Sequence, residues 1–340
     1  MATIAEVAAR AGVGAGTVSR VLNHSPKVSE TTRARVQAAI AELGYRPNPL
    51  AQGLSRGRCR TLGVVVPYFT TPSPVERLRG VAAALDGAQH DLVIFNVESV
   101  AHRDDFLGTL DRRDRADGLL LMSFPPPPAD LARIVTAGVP VVLVDAVAEG
   151  VSSVVVDDVA GGRMATEHLL GLGHERIAFI GGDPDEPLGF TSADDRELGF
   201  RQAMADAGVE VDESLVRYGT HAREVAVAIA KDLLRQAAPP TAVFATADVQ
   251  ALGVIEAVRS LGRHVPDDLS VIGFDDIELS AYVGLTTVRQ PLFESGQLAT
   301  RLLLEALAGD TTPTVHVHEL PLEVVVRSTT GPRPPGGGPT

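Results

Sequence analysis

The chain contains a single cysteine, Cys59, among its 340 residues, so no internal disulfide can form and a reducing compartment is the simplest expectation. The first residues, MATIAEVAARAG, have no basic start followed by an apolar run, so no secretory signal is indicated. No apolar stretch reaches the ~18 residues that a membrane span requires. These absences predict a cytoplasmic protein without a membrane partner.

The motifs of common enzyme classes are missing as well. The sequence has no Cys/His cluster at metal-ligand spacing, no nucleophile elbow and no phosphate loop. A Gly-x-Gly-x-Gly pattern at 12–16 follows a helix pattern, whereas a dinucleotide fingerprint follows a strand. The first glycines of GLGHERIAFIGG, at 171–182, come before the strand and not after it, so this segment does not match the dinucleotide fingerprint either. We therefore expect no enzymatic activity, no metal and no cofactor.

Positive charge is scarce overall but concentrated at the amino terminus. The formal net charge is −13, yet residues 1–60 hold nine Lys/Arg against three Asp/Glu. Ordinary variation of surface charge is one explanation. The other is a small basic head that binds nucleic acid, joined to a large acidic body. The motif content of the head favours the second explanation.

Helical periodicity without any strand pattern fills the first 45 residues. Thr3 and Glu6 form a capping box, Ser29 is the expected N-cap of the last helix, and Gly44 ends it. A helix, a short glycine turn and a second helix with hydroxyls and an arginine make a helix-turn-helix, a fold that suits the major groove. The predicted helices are Ile4–Ala11, Ala15–Leu22 and Glu30–Leu43.

From residue 61 onward, short β-branched runs alternate with amphipathic helices. Such alternation predicts an α/β fold with parallel sheets covered by helices. The number of runs exceeds one compact sheet, so two doubly wound lobes with a cleft between them are expected. The runs lie at 62–66, 92–97, 118–122, 141–144, 153–156, 176–181, 241–246 and 269–274.

Two stretches of the head, TIAEVAARAGVGAGTVSRVLN and VSETTRARVQAAIAELGYRPNPLAQGL, resemble the lactose-repressor (LacI/GalR) family of bacterial transcription regulators. The segments ADGLLLM, GHERIAFIGG, DRELGFRQAM, VPDDLSVIGFDD and LTTVRQP continue the resemblance in the family's order. The family resemblance implies a homodimer on a pseudo-palindromic operator. It also implies a body like a periplasmic sugar-binding protein, whose chain crosses between the lobes three times.

The domain boundaries follow from that resemblance. We expect a helix-turn-helix domain at 1–46, a hinge helix and linker at 47–60, and an effector-binding and dimerisation domain at 61–330. Its N-lobe would comprise about 61–158 and 292–319, and its C-lobe about 159–291 and 320–330. The Pro/Gly-rich residues 331–340 are expected to form a disordered tail without a coiled coil.

The resemblance also implies which residues contact DNA. Arg20 is the expected base reader, and neighbouring hydroxyl and amide side chains would bind phosphates, although Ser19 and Asn23 suit simple capping too. Ala15 and Gly16 stand where family members select their operator. Leu54 of the hinge helix would wedge into the minor groove. The predicted DNA-binding residues are Thr3, Ala15, Gly16, Thr17, Ser19, Arg20, Asn23, Ser29, Thr32, Asn48, Ala51 and Leu54.

In the body, Arg196 matches the effector-gripping arginine of the family and Asp275 its hydroxyl-binding acid. Ala247 replaces the asparagine that many sugar-binding members carry, which weakens the sugar assignment. The predicted effector-binding residues are Phe69, Asp145, Phe190, Arg196, His221, Asp248 and Asp275, with Leu292 as a further apolar wall. We expect a sugar or oligosaccharide that releases a repressor. The alternatives are a nucleobase or phosphorylated sugar as co-repressor, a free-standing binding protein, and an α/β enzyme.

Overall fold

A computed structural model describes residues 2–22, 25–45, 60–109, 115–309 and 315–333. Four predicted DNA-binding residues, Asn23, Asn48, Ala51 and Leu54, lie outside these residues, as do nearly all of the expected linker and residues 334–340 of the expected tail. The described chain forms two separate compact units, residues 1–60 and residues 61–340.

The head consists of three helices that begin and end where the sequence predicts: α1 (Ile4–Ala11), α2 (Ala15–Leu22) and α3 (Glu30–Leu43). The capping box is present, because the Glu6 amide donates to Thr3 Oγ1 at 3.3 Å and the Thr3 amide donates to Glu6 Oε2 at 2.7 Å. Gly12 ends α1 at φ 64°, a left-handed conformation that favours glycine. Apolar side chains from all three helices form one small core: Val7, Ala8, Ala11, Val18, Val21, Val36 and Ala39.

The first sheet of the body is parallel and has the strand order β11-β5-β4-β3-β1-β2. Its strands are β1 (Thr61–Pro67), β2 (Asp91–Val97), β3 (Gly118–Met122), β4 (Val141–Val144), β5 (Ser152–Val155) and β11 (Val317–Glu319). The helices of this lobe are α4 (Pro72–Ala84), α5 (Val100–Leu107), α6 (Pro128–Thr136) and α12 (Leu292–Ala308). The α/β prediction is confirmed for this lobe.

The second sheet has the strand order β12-β10-β9-β8-β6-β7 and belongs to the other lobe. Its strands are β6 (Ile177–Gly181), β7 (Val216–Tyr218), β8 (Ala242–Ala245), β9 (Ser270–Asp275), β10 (Thr286–Arg289) and β12 (Glu323–Val325). β12 pairs with β10 in the antiparallel direction, so this sheet is mixed and not fully parallel as expected. Its helices are α7 (Asp158–Gly171), α8 (Ser192–Asp206), α9 (Arg223–Leu233), α10 (Asp248–Ser260) and α11 (Glu278–Val283).

The chain passes between the two sheets three times, after β5, after β10 and after β11. We call the lobe with the first sheet the N-lobe and the other the C-lobe. Residues 331–333, expected to begin the disordered tail, lie against the C-lobe. The Gly331 amide donates to Ser270 Oγ at 3.1 Å, and the Arg333 amide donates to the Leu172 carbonyl at 2.9 Å.

The helix that follows β1 and the helix that follows β6 each pack unusually closely on a second helix of the same lobe. A Cβ at Gly199 of α8 would lie 2.0 Å from the Val159 carbonyl oxygen of α7. A Cβ at Gly80 of α4 would lie 1.9 Å from the Phe293 carbonyl oxygen of α12. Only glycine permits these contacts. The same packing device therefore holds a helix in place on each side of the cleft.

Candidate functional site

One face of α2 in the head is exposed and includes an arginine. Val18 and Val21 are buried in the core, while Ala15, Gly16 and Arg20 are exposed. Within the described residues the Arg20 guanidinium has no hydrogen bond or ion pair, so it is available to an external acceptor. The alternation of packing and polar positions on α2 is the arrangement that a recognition helix needs.

The remaining predicted DNA-binding residues of the head have visible structural roles or open surroundings. Thr3 caps α1, and Ser29 caps α3 by accepting a 3.4 Å hydrogen bond from the Thr32 amide. A Cβ added at Gly16 would meet no atom within 4 Å, so packing does not explain why this position is glycine. Thr17 and Ser19 are partly exposed. Contact with DNA stays a prediction for each of them.

In the body, a cavity of about 330 Å³ lies between the lobes, and strained backbone surrounds it. Tyr68, Ser123 and Asp145 follow β1, β3 and β4 with φ of 46°, 68° and 60°, and Asp275 ends β9 with φ 119°. All four line the cavity. Positive φ is costly for these residue types, and such residues cluster at functional sites. Their position at carboxyl ends of parallel strands is where open α/β sheets bind ligands.

Arg196 projects from α8 into the cavity wall and is 5% exposed. Its Nε donates to Asp158 Oδ1 at 2.7 Å, and its Nη1 donates to the Thr246 carbonyl at 2.7 Å. The guanidinium carbon lies 3.7 Å from the centre of the Phe274 ring, a cation–π contact. The structure thus brings the predicted arginine to the cavity, held on three sides.

A second buried arginine, Arg77, lines the same cavity from α4 and was not predicted. Its Nη2 lies 3.2 Å from Asp145 Oδ2 and donates to Gln290 Oε1 at 3.1 Å. Gln290 Nε2 in turn donates to Asp275 Oδ1 at 2.6 Å. One continuous network therefore joins Asp145 of the N-lobe to Asp275 of the C-lobe beneath the cavity.

A repeated pattern in the sequence would have identified Arg77. Arg77 is followed at the third position by Gly80, and Arg196 is followed at the third position by Gly199. In each lobe this glycine allows the close helix contact described above, and one helical turn earlier the arginine faces the cavity. The pattern R-x-x-G in the helix after the first strand of each lobe is the signal that marks both arginines.

Burial and mutual repulsion perturb the acids around these arginines. Burial raises the pKa of Asp158 to about 6, although Arg196 opposes the rise. Burial likewise raises the pKa of Asp275 to about 6, with Arg196 and then Arg77 opposing it. These carboxylates raise the pKa of Arg196 against the opposing effect of its own burial. The cavity floor therefore holds two cations, each already paired with a carboxylate.

His221 and Phe190 line the C-lobe side of the cavity, as expected. The imidazole is open to the cavity itself, but the protein packed around it and the nearby Arg196 charge lower the pKa of His221 to about 4. It is consequently neutral at physiological pH. The Phe190 ring meets the Tyr68 ring of the N-lobe edge-to-face, with centroids 6.4 Å apart.

Two expected cavity residues lie elsewhere. Phe69 does not line the cavity; the preceding Tyr68 does. Asp248 is fully buried in the C-lobe, and its carboxylate accepts hydrogen bonds from the Ser280 and Thr287 hydroxyls at 2.6 Å and from the Ile277 amide at 3.0 Å. With these donors, Asp248 is held inside the C-lobe and does not line the cavity. Leu292 lies beneath the floor, beside a small void that Arg77 also lines.

Neither a metal-binding cluster nor a membrane-spanning helix is found in the part of the chain that is described. No three His, Cys, Asp or Glu side chains there are placed to hold a metal ion. No described helix is both long enough and apolar enough to cross a membrane.

Comparisons with known proteins agree with the geometry. Residues 3–48 match the family "Bacterial regulatory proteins, lacI family", and residues 166–330 match "Periplasmic binding protein-like domain". The regulator CelR of Thermobifida fusca is 37% identical over 93% of this chain and 94% of its own. The repressor PurR of Photobacterium profundum is 34% identical over 96% of this chain and 98% of its own.

Two solved structures resemble the whole chain. A complex of the transcriptional regulator CelR with cellobiose has a TM-score of 0.69 at 35% identity, covering 97% of this chain and 100% of that one. A lac repressor dimer bound to operator and the anti-inducer ONPF has a TM-score of 0.79 at 29% identity, covering 97% and 99%. With a helix-turn-helix head, a two-lobed body and full-length relatives of this similarity, the chain belongs to the lacI family of bacterial regulatory proteins.

Proposed function

We propose that this protein is a transcriptional repressor that binds a pseudo-palindromic operator as a homodimer and is released by a neutral sugar or oligosaccharide. The cavity between the lobes would bind the sugar, and α2 of the head would read the operator. The proposal includes a cytoplasmic location and a binding role without catalysis. The ion pairs at the cavity floor are the observation that favours a neutral sugar.

Each guanidinium at the cavity floor already has a carboxylate partner, Asp158 for Arg196 and Asp145 for Arg77. A phosphate group would meet the carboxylates of Asp145 and Asp275, which line the cavity, while both lining arginines are already paired with carboxylates. A sugar hydroxyl, by contrast, donates to a carboxylate and accepts from an arginine N–H. Tyr68 and Phe190 add an apolar wall of the kind that binds the face of a sugar ring.

The CelR structure, which contains cellobiose, supports the same choice. The similarity to PurR favours the second candidate, a nucleobase or phosphorylated sugar that acts as co-repressor. The two candidates differ in the direction of the response. A sugar inducer would weaken operator binding, whereas a co-repressor would strengthen it.

The test begins with the full-length protein and an operator selected from random DNA. Operator affinity is then titrated with cellobiose, ribose, ribose 5-phosphate and guanine. We expect release by one of the neutral sugars and no effect of the phosphorylated one. Tighter operator binding with guanine or ribose 5-phosphate would replace the proposed function by the second candidate. Failure to select any DNA sequence would refute the repressor assignment.

A further inference from the structure

A loop of the C-lobe reaches across the cavity and inserts a side chain into the N-lobe. The loop, residues 183–190, follows β6, and Leu188 near its end is only 1% exposed. Leu188 packs in a hydrophobic cluster whose other buried members all belong to the N-lobe: Val65, Val97, Leu107, Ala116, Leu119, Leu121, Phe124, Leu131, Ile134, Val139, Val141, Leu143 and Val151. The loop therefore ties one lobe to the core of the other.

The same loop lines part of the cavity. Asp183, Glu186 and Phe190 line the cavity, while residues 187–189 line a separate groove on the N-lobe surface. At the end of the loop the Phe190 ring meets the Tyr68 ring of the opposite lobe. Burial and the Glu186 charge, followed by Glu98, raise the pKa of Tyr68, consistent with the loop lying close to this phenol. The contact between the lobes is thus aromatic at one point and aliphatic at the next.

Internal hydrogen bonds give the loop a defined shape. The Gly189 amide donates to the Glu186 carbonyl at 3.2 Å, and the Leu188 amide donates to the Glu186 carboxylate at 3.2 Å. Gly189 has φ 78°, a conformation that turns the chain between Leu188 and Phe190. Because the loop is shaped by its own bonds, it can leave the N-lobe as a unit.

We propose that residues 183–190 form a strap that closes the cavity mouth, and that the lobes separate only when Leu188 leaves the N-lobe cluster. The inference goes beyond the proposed function, since it concerns how the cavity opens and holds whatever ligand enters. Extracting a fully buried leucine from an apolar cluster exposes its surface to water, which is unfavourable. The strap therefore biases the free protein toward the closed arrangement and makes access to the cavity a gated step.

Hydrogen exchange of the full-length protein without ligand tests the strap. The variant Leu188→Ala should speed exchange of the Glu186, Leu188 and Gly189 amides at least tenfold, together with the Thr71 amide, which donates to the Tyr68 carbonyl at 2.9 Å. Leu188→Met, which conserves volume, should exchange like the wild type.

The matched control is Leu131→Ala, because Leu131 packs in the same cluster but both its backbone and its side chain belong to the N-lobe. This control should speed exchange mainly within α6 and its neighbouring strands and leave the strap amides slower than in Leu188→Ala. Strap amides that exchange at the wild-type rate in Leu188→Ala would overturn the proposal. So would an identical set of accelerated amides in the two alanine variants.

Discussion

Replacing Arg196 by alanine should lower the stability of the folded protein, apart from any effect on ligand binding. The substitution removes the hydrogen bond to the Thr246 carbonyl, the stack on Phe274 and the ion pair with Asp158. Both side chains of that pair are almost fully buried, at 6% and 11% exposure. Removing one partner of a buried ion pair costs about 3–5 kcal/mol, because the other charge stays buried without compensation.

The penalty should depend on pH in a defined direction. The pKa of Asp158 is about 6 in the folded wild type, above its value of about 3.9 in the unfolded chain. An acid whose pKa is raised by folding destabilises the folded state as the pH rises from the unfolded-state pKa to the folded-state pKa. Above the folded-state pKa the destabilisation is constant. In the wild type that loss ends near pH 6. Without Arg196 the folded pKa rises further, so the variant keeps losing stability above that pH.

Asp275 reinforces this dependence, because the charge of Arg196 also lowers its pKa. The difference in the free energy of unfolding between wild type and Arg196→Ala should therefore grow between pH 6 and pH 8, by up to ~1.4 kcal/mol per pH unit for each acid that stays protonated. Near pH 5 the acids are largely protonated in both proteins. The penalty there should shrink toward the loss of the Thr246 hydrogen bond and the Phe274 contact.

Urea unfolding near pH 5 and near pH 8 measures both quantities. The matched control is Arg201→Ala on the same helix, where the side chain is 34% exposed and pairs with Glu197 and, through both Nη atoms, with Glu213. A solvent-exposed ion pair contributes about 0–1 kcal/mol, so loss of these two pairs should cost less than loss of the buried pair of Arg196. If Arg196→Ala costs no more than the control, or costs the same at both pH values, the account of a buried, pH-dependent pair is wrong.

Because Arg196→Ala should destabilise the fold, this variant alone does not test ligand binding. A single alanine variant that fails to respond to a sugar could simply be unfolded. The double variant Arg196→Met with Asp158→Asn removes both charges of the pair, so it should cost less stability than Arg196→Ala even though Asp275 still loses the nearby Arg196 charge. Loss of ligand response in a stably folded double variant would then report on the cavity itself.

Three further variants test other parts of the structure. Asp248→Ala should lower the free energy of unfolding by about 1–3 kcal/mol for each donor left unpaired, while Asp248→Asn should cost less; thermal unfolding would show no such difference if Asp248 were not hydrogen-bonded in the core. Gly199→Ala should cost about 1–3 kcal/mol because its Cβ would overlap the Val159 carbonyl, and an unchanged melting temperature would contradict that packing. Arg20→Ala should relax operator discrimination by about 1–3 kcal/mol at one base pair per half-site, and equal loss on all sequences would assign Arg20 to phosphate.

Local signals in the sequence predicted the head closely. The capping box at Thr3, the cap at Ser29 and the glycine stop at Gly44 act within one helical turn, so these helix boundaries depend on neighbouring residues alone. The edge strands β7, β11 and β12 were missed, because three residues are too few for a periodic pattern, and the interior strand β10 was missed as well. The antiparallel return of β12 depends on where the chain crosses between lobes, which no local pattern encodes.

The cavity was only partly predictable because its residues meet through tertiary structure. Arg77 binds Asp145 and Gln290, which lie 68 and 213 residues further along the chain, so no spacing rule connects them. The choice between Tyr68 and Phe69 depends on the left-handed backbone at Tyr68, which turns that ring toward the cavity. Family resemblance located Arg196, whereas the network under the cavity can be recognised only in the folded structure.

Asp248 and Asp275 show why two similar acids have different roles. Both lie at the carboxyl ends of neighbouring strands, β8 and β9, where a ligand contact is a reasonable expectation for either. A Cβ at Gly273 would lie 2.2 Å from Asp248 Oδ1, so the absent side chain of this glycine creates the space that the Asp248 carboxylate occupies. The hydroxyls of Ser280 and Thr287 then satisfy that carboxylate inside the lobe. Asp275 instead lines the cavity, where its carboxylate accepts a hydrogen bond from Gln290 Nε2.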